Sequence, residues 1–138
     1  MIIESIKKYK WEGKKALIVE DDPTAAFLLS EILHHTCMQV ETVNSGLEAV
    51  EKCKTDPSID VVLLDLQIPG ISGFEAATMI KQVREDLPII AQSAYALIEE
   101  KERAIEAGCD AHISKPINAF DLLAAINHFL DAGDLPLL

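Results

Sequence analysis

Five short apolar runs, separated by stretches with helical spacing, constrain this chain more than any other feature. They are ALIV (16–19), the weaker QVETV (39–43), VVLL (61–64), PIIA (88–91) and AHIS (111–114). Helix start and stop signals fill the gaps. Asp22 before Pro23 reads as an N-cap with proline at the first helical position. Ser45-x-x-Glu48 and Ser72-x-x-Glu75 both match a capping box. Gly108 follows the charged segment EEKERAIEA as a C-terminal cap. Asn118 opens a last helix whose Phe120, Leu123, Ala124 and Phe129 are expected to share an inward face. Strand alternating with helix five times implies a parallel sheet covered on both sides. VVLL, which lacks polar alternation, reads as a central strand buried on both faces.

The chain's 138 residues suit one domain, with 49% hydrophobic and 25% charged residues, the balance of a folded globular protein. Residues 14–131 hold the alternating pattern; 1–13 read as an extension or linker and 132–138 as a tail. A net charge of −11 argues against direct nucleic-acid or membrane-surface binding, since either calls for a basic face. No stretch reaches the roughly 18 apolar residues of a membrane span. Cys37, Cys53 and Cys109 are odd in number and form no C-x-x-C pair, which fits a reduced, cytoplasmic protein.

In an open parallel sheet, functional groups collect beyond the carboxyl ends of the strands, where strand order reverses. Glu20, Asp21 and Asp22 follow ALIV directly, and Asp65 follows VVLL. In the flavodoxin-like order 2-1-3-4-5 those strands are neighbours and the carboxylates converge. Crowded like charges raise one another's pKa unless a cation intervenes. Oxygen ligands without histidine or thiolate favour a hard cation such as Mg²⁺. Ser93 near the end of the fourth run and Lys115 after the fifth add a hydroxyl and an ammonium. Donors and positive charge beside a carboxylate nucleophile are what a phosphoryl group requires.

The motifs IVEDDP (18–23), LLDLQIPGISGFE (63–75), AQSAYA (91–96) and SKPI (114–117) resemble the receiver domain of two-component response regulators, over roughly residues 14–131. That resemblance implies a phosphorelay receiver with a (βα)5 fold. Asp65 would be the phosphoacceptor and Asp21 a direct Mg²⁺ ligand, with Glu20 acting through water and the Gln67 backbone carbonyl as a further contact. Ser93 would bond a phosphoryl oxygen, Lys115 would pair with the Asp65 phosphate or carboxylate, and Lys115-Pro116 would be a cis peptide. His112 stands at the switch position usually held by tyrosine or phenylalanine, and Ser72-Gly73 where Asp-Gly is frequent, a change expected to matter only to the turn. The implied partners are a sensor histidine kinase or histidine phosphotransfer protein as donor, and a downstream target on the helix 4–strand 5–helix 5 face. The domain would be a phosphoacceptor rather than an enzyme, either a stand-alone regulator or the receiver segment of a hybrid kinase.

Plainer readings stand beside these. An acidic triplet after a strand can simply cap the next helix, which is the expected role of Asp22. Adjacent His34 and His35 point in different directions on a helix and do not chelate together. Trp11 is a candidate anchor for the N-terminal extension. The enzyme alternative is an aspartate-nucleophile phosphatase of the haloacid dehalogenase type. It normally places a second aspartate two residues after the first, where this chain has Gln67. A flavodoxin relative would need a phosphate-cradling loop after strand one, where this chain has three carboxylates.

Overall fold

The computed structural model describes residues 8 to 94 and 97 to 130. The ends of the chain and the last two residues of AQSAYA lie outside them. Ten elements alternate: β1 (Lys15–Val19), α1 (Pro23–His34), β2 (Gln39–Val43), α2 (Gly46–Thr55), β3 (Val61–Asp65), α3 (Gly73–Val83), β4 (Ile89–Ser93), α4 (Ile98–Ala107), β5 (Ala111–Ser114) and α5 (Ala119–Leu130). The five strands are parallel in the order β2-β1-β3-β4-β5. Each apolar run therefore forms its strand, and the order reverses between β1 and β3.

Side chains of a strand alternate between faces, and both faces here are covered. Ala16, Ile18, Val61, Leu63 and Ile90 meet Leu29 and Leu33 of α1 and Leu122, Leu123 and Ile126 of α5. Leu17, Val19, Val62, Leu64 and Ile89 meet Ala49 of α2, Ala76 and Ile80 of α3 and Ala104 of α4. All five residues of β3 are buried, which explains a strand without polar alternation. Burying a leucine or valine side chain of this kind contributes about 1.5–3 kcal/mol, an upper estimate because denatured chains are partly collapsed. Trp11 joins the first layer, 3% exposed, and its backbone N–H donates to Thr36 O at 2.8 Å.

The caps hold with one correction, and the inward face of the last helix needs another. Asp22 accepts from Thr24 N, Gly108 takes the left-handed conformation at φ 109°, and Asn118 accepts from the N–H groups of Phe120 and Asp121. Ser72 and Glu75 make both bonds of a capping box, whereas Ser45 accepts from Glu48 N without the reciprocal bond. On α5 the inward stripe is Leu122, Leu123 and Ile126, and Phe120 and Ala124, expected inside, are exposed. At about 100° per residue both lie more than a quarter-turn from the centre of that stripe.

Candidate functional site

Four strand ends deliver the polar groups that the sequence singles out. After β1 the backbone runs on toward β2, Glu20 N donating to Val43 O at 3.0 Å. This turns Glu20 inward, 3% exposed, while Asp21 stays exposed and Asp22 leaves to cap α1. At the end of β3, Asp65 is 2% exposed. The chain then turns through Pro69-Gly70, with Gly70 at φ 86°, the positive value a turn's second central residue requires. Glu20, Asp21 and Asp65 each bring a carboxylate oxygen within 4.8 Å of the others.

Lys115 enters from the end of β5, tied by its own N–H to Ser93 O at 2.8 Å. Its Nζ lies 3.0 Å from Asp65 Oδ2 and 3.2 Å from Glu20 Oε1. The Lys115–Pro116 bond is cis. The second Asp65 oxygen, Oδ1, accepts from Gln67 N at 2.9 Å. Burial and then Asp65 push the Glu20 carboxyl above the usual carboxylate range, against the Asp22 N–H and Lys115, which pull it down. For Lys115, burial pulls the ammonium's pKa down, but Asp65 and Glu20 outweigh it and the net direction is up. A buried carboxylate is tolerated only when paired. One lysine against three carboxylates leaves two negative charges uncompensated, and the donors are all oxygen, which suits a hard dication such as Mg²⁺.

Ser93 ends β4 and is buried. Its hydroxyl sits 2.9 Å from His112 Nε2, so the imidazole is already turned toward Ser93. Burial, with a smaller push from Lys101, lowers the His112 pKa below 6.5, against Glu100, which raises it. The side chain of Gln67 reaches across the mouth of the site, accepting from Ala94 N and donating to Glu100 Oε1, both at 3.4 Å. Every residue expected at the site thus gathers at one end of the sheet, and Asp22 stands apart as a cap.

Gly73 has a larger part than its turn suggests. It opens α3 against the backbone that follows β3, and a Cβ there would fall 2.5 Å from Leu66 Cα and 2.8 Å from Asp65 O. Glycine lets α3 press on the peptide that carries Asp65, and it is the residue that Ser72-Gly73 keeps in common with the frequent Asp-Gly. The sequence signal was the glycine directly after a capping serine, which turn chemistry alone explains equally well.

Residues 16 to 127 match the family model described as the response regulator receiver domain. The polar-differentiation response regulator DivK of Brucella abortus is 32% identical over 119 residues, 85% of this chain and 96% of DivK. The sensor histidine kinase RcsC of Salmonella typhimurium is 36% identical over 101 residues, 73% of this chain, which spans 10% of that kinase's length. Among solved structures, a CheY-like receiver domain protein from Methanospirillum hungatei superposes with a TM-score of 0.81 at 30% identity, over 86% of this chain and 94% of the other. The receiver domain of sensor histidine kinase PA1611 from Pseudomonas aeruginosa gives 0.78 at 27% identity, over 85% and 97%, and is described with a magnesium ion coordinated in its active-site cleft.

Proposed function

Because this chain belongs to the response regulator receiver domain family, we propose that Asp65 is the residue that takes the phosphoryl group of its phosphorelay. The observation that supports this is the pairing of buried Asp65 with Lys115 at 3.0 Å, inside a cluster that holds two further carboxylates. An Asp65 carboxylate oxygen forms the new bond to phosphorus. The P–N bond of a donor phosphohistidine breaks, and its electron pair leaves with the imidazole. Asp21 and Asp65, with Glu20 through water and the Gln67 carbonyl, would hold Mg²⁺, which when bound supplies positive charge beside the phosphoryl oxygens. Lys115 steadies the attacking carboxylate and then the phosphoryl oxygens, to which the Ser93 hydroxyl also donates.

The acyl phosphate biases a two-state equilibrium rather than driving a turnover, so the domain acts as a phosphoacceptor and not as an enzyme on a separate substrate. Its donor is a histidine kinase or phosphotransfer protein, and its target reads the α4–β5–α5 face. Ile98 and Ile105, exposed on α4, support that face as a contact surface. The phosphatase alternative has no support: Gln67 carries no ionisable proton, and its amide is engaged with Ala94 and Glu100. Similarity to both DivK and RcsC suits either a stand-alone regulator or a hybrid-kinase segment. Among the described residues no helix is long and apolar enough to cross a membrane.

Acetyl phosphate with Mg²⁺ tests the assignment by intact-protein mass spectrometry. One phosphoryl group should add to the wild type, be removed by hydroxylamine as an acyl phosphate is, and be missing in Asp65→Asn. An acyl phosphate at another carboxylate in that variant would overturn it.

A further inference from the structure

Outside the acidic cluster, Gln92 is the polar side chain of the interior with no role. It lies on β4 one residue before Ser93, completely buried, and neither its amide nitrogen nor its amide oxygen has a hydrogen-bond partner among the described residues. Strand alternation puts it on the face of Ile90, toward α1 and α5. Burying an amide with donor and acceptor both uncommitted costs stability that a leucine of similar size would not. Such a group calls for an explanation in the form of something that pairs with it.

Gln92 forms part of the wall of a cavity of about 340 Å³ between α1 and the loop that joins β5 to α5. Leu28, Leu29 and Ile32 line one side, and Pro116 and Ile117 the other. The volume falls within the range of small-molecule sites, about 300–1,000 Å³, which are mostly apolar with a few polar groups that fix orientation. Glu20 and Lys115 also border the cavity, and they already hold each other at 3.2 Å. The amide atoms are closed to bulk solvent, so pairing with a ligand requires the side chain to rotate until they face the cavity.

We propose that this cavity binds a small amphiphile whose carboxamide or lactam head pairs with the Gln92 amide and whose aliphatic tail lies between Leu28 and Ile117. The chemistry of Gln92 selects the head group. Its Nε2–H donates to the ligand carbonyl and its Oε1 accepts from the ligand N–H, which satisfies both atoms at once. A carboxylate would bring no donor to Oε1 and would add negative charge beside Glu20. An amine would leave Nε2–H without an acceptor.

Hexanamide is a suitable probe, titrated into the metal-free protein without phosphodonor and followed by NMR of the Gln92 side-chain NH₂ and the methyl groups of Leu28, Leu29 and Ile117. Saturable shifts confined to those groups are expected, with a Kd of about 1 mM for a ligand so small. Gln92→Leu, an apolar replacement in an apolar wall, should weaken binding about tenfold through loss of the paired hydrogen bonds. Ala25→Leu, which fills the cavity from a half-buried helix position, should abolish it with the fold intact by amide spectrum. N,N-Dimethylhexanamide, which cannot donate, should bind about tenfold more weakly than hexanamide. Shifts that fail to saturate, an unchanged Kd in Gln92→Leu, or binding that survives Ala25→Leu would each overturn the proposal. Because neither metal nor phosphoryl group is present, those results stand apart from the fate of Asp65 as phosphoacceptor.

Discussion

The two ends of the sheet each gather charged side chains, but they do so in opposite ways. At the amino end, Lys15 bonds Asp56 at 2.7 Å and Glu41 at 2.9 Å, and Lys52 adds a second cation to Glu41. Two cations face two acids, and the guanidinium of Arg84 closes the neighbouring backbone by donating to Asp56 O and Ile59 O. The Lys15 hydrogen bond, then Ser58, holds Asp56 well below the usual carboxylate range, and Lys52, then Lys15, lowers Glu41. At the carboxyl end Glu20 and Asp65 share Lys115, Asp21 brings a third carboxylate beside them, and Glu20 is pushed up. A matched network needs nothing further. An unmatched one, largely buried, suits the cation and the phosphoryl group proposed for it.

The sharpest break of that comparison comes from removing Lys115, the cation paired with Glu20 and Asp65. Lys115→Ala leaves a strand-end position with little packing to lose, so it should fold and still bind Mg²⁺. It should lose the conformational response to beryllofluoride, a phosphoryl mimic, while Asp21→Ala loses most Mg²⁺ affinity. Amide chemical shifts of α4 and β5 with and without the mimic read the response. An unfolded Lys115→Ala would make the lysine structural and erase the contrast with Lys15.

A smaller effect is expected where the backbone carries Asp65. Gly73→Ala forces a Cβ onto Leu66 Cα and Asp65 O, backbone atoms that cannot swing aside. It should cost about 1–3 kcal/mol by overpacking, read as a lower urea midpoint, and weaken Mg²⁺ binding with it. Gly46→Ala meets chiefly the side chain of Ile71, at 2.8 Å, which can move, and should cost less. Equal losses would mean that α3 does not position the acidic cluster.

The comparison also bears on what the sequence can reveal. The five strands were legible as apolar runs, and the convergence of Glu20, Asp21, Asp65, Ser93 and Lys115 followed from the flavodoxin-like order expected of them, which the sheet adopts. The stripe of α5 was misjudged at Phe120 and Ala124 because a helix rich in apolar residues all round gives no unique inward face. The close approach that Gly73 permits was hidden behind its turn signal, and Arg84 and the Lys15 network were not legible at all. Their roles come from approaches between segments tens of residues apart, such as Lys15 and Asp56, and a single sequence carries no register for such pairs. Nor does it tell which polar residue of β4, Gln92 or Ser93, faces which layer until the strand's ends are fixed.

The two ends should also answer to pH with opposite signs. Asp56 and Glu41 have lowered folded-state pKa values, so their contribution is full above the ordinary values of 3.8 and 4.5 and is lost as pH falls below these through the lowered folded-state values. Glu20 has a raised value, so its charge burdens the metal-free folded state at neutral pH, and that burden lifts as pH falls toward 4.5. Lys15→Met should therefore lower the urea midpoint at pH 7 and flatten its fall in acid. Glu20→Gln should raise the midpoint in metal-free buffer at pH 7 and change little at pH 4. If both variants moved the midpoint at pH 7 in the same direction, the distinction between a matched and an unmatched cluster would be lost.

The smallest effect belongs to His112, which links the carboxyl end to α4. Its ring lies 2.9 Å from the Ser93 hydroxyl through Nε2, while the buried Nδ1 has no hydrogen-bond partner among the described residues. The charged groups facing it, Lys101 and Glu100 on α4, act in opposite directions, and burial tips the balance against the imidazolium. For a base with a lowered pKa, the inward arrangement is fully favoured above the ordinary value of 6.5 and loses favour as pH falls below it, because the outward ring takes up its proton first. When Ser93 turns to donate to a phosphoryl oxygen, its oxygen can still accept from Nε2–H. The neutral ring then stays inward and holds β5 in the phosphorylated arrangement. Beryllofluoride should accordingly lower the His112 pKa further and slow its exchange, while His112→Phe keeps the inward packing and removes the pH dependence. Imidazole ¹H–¹⁵N spectra from pH 8 down to pH 5, with and without the mimic, give the measurement. A pKa and environment unchanged by beryllofluoride would leave His112 as a spectator on the edge strand and confine the response to the carboxylates and Lys115.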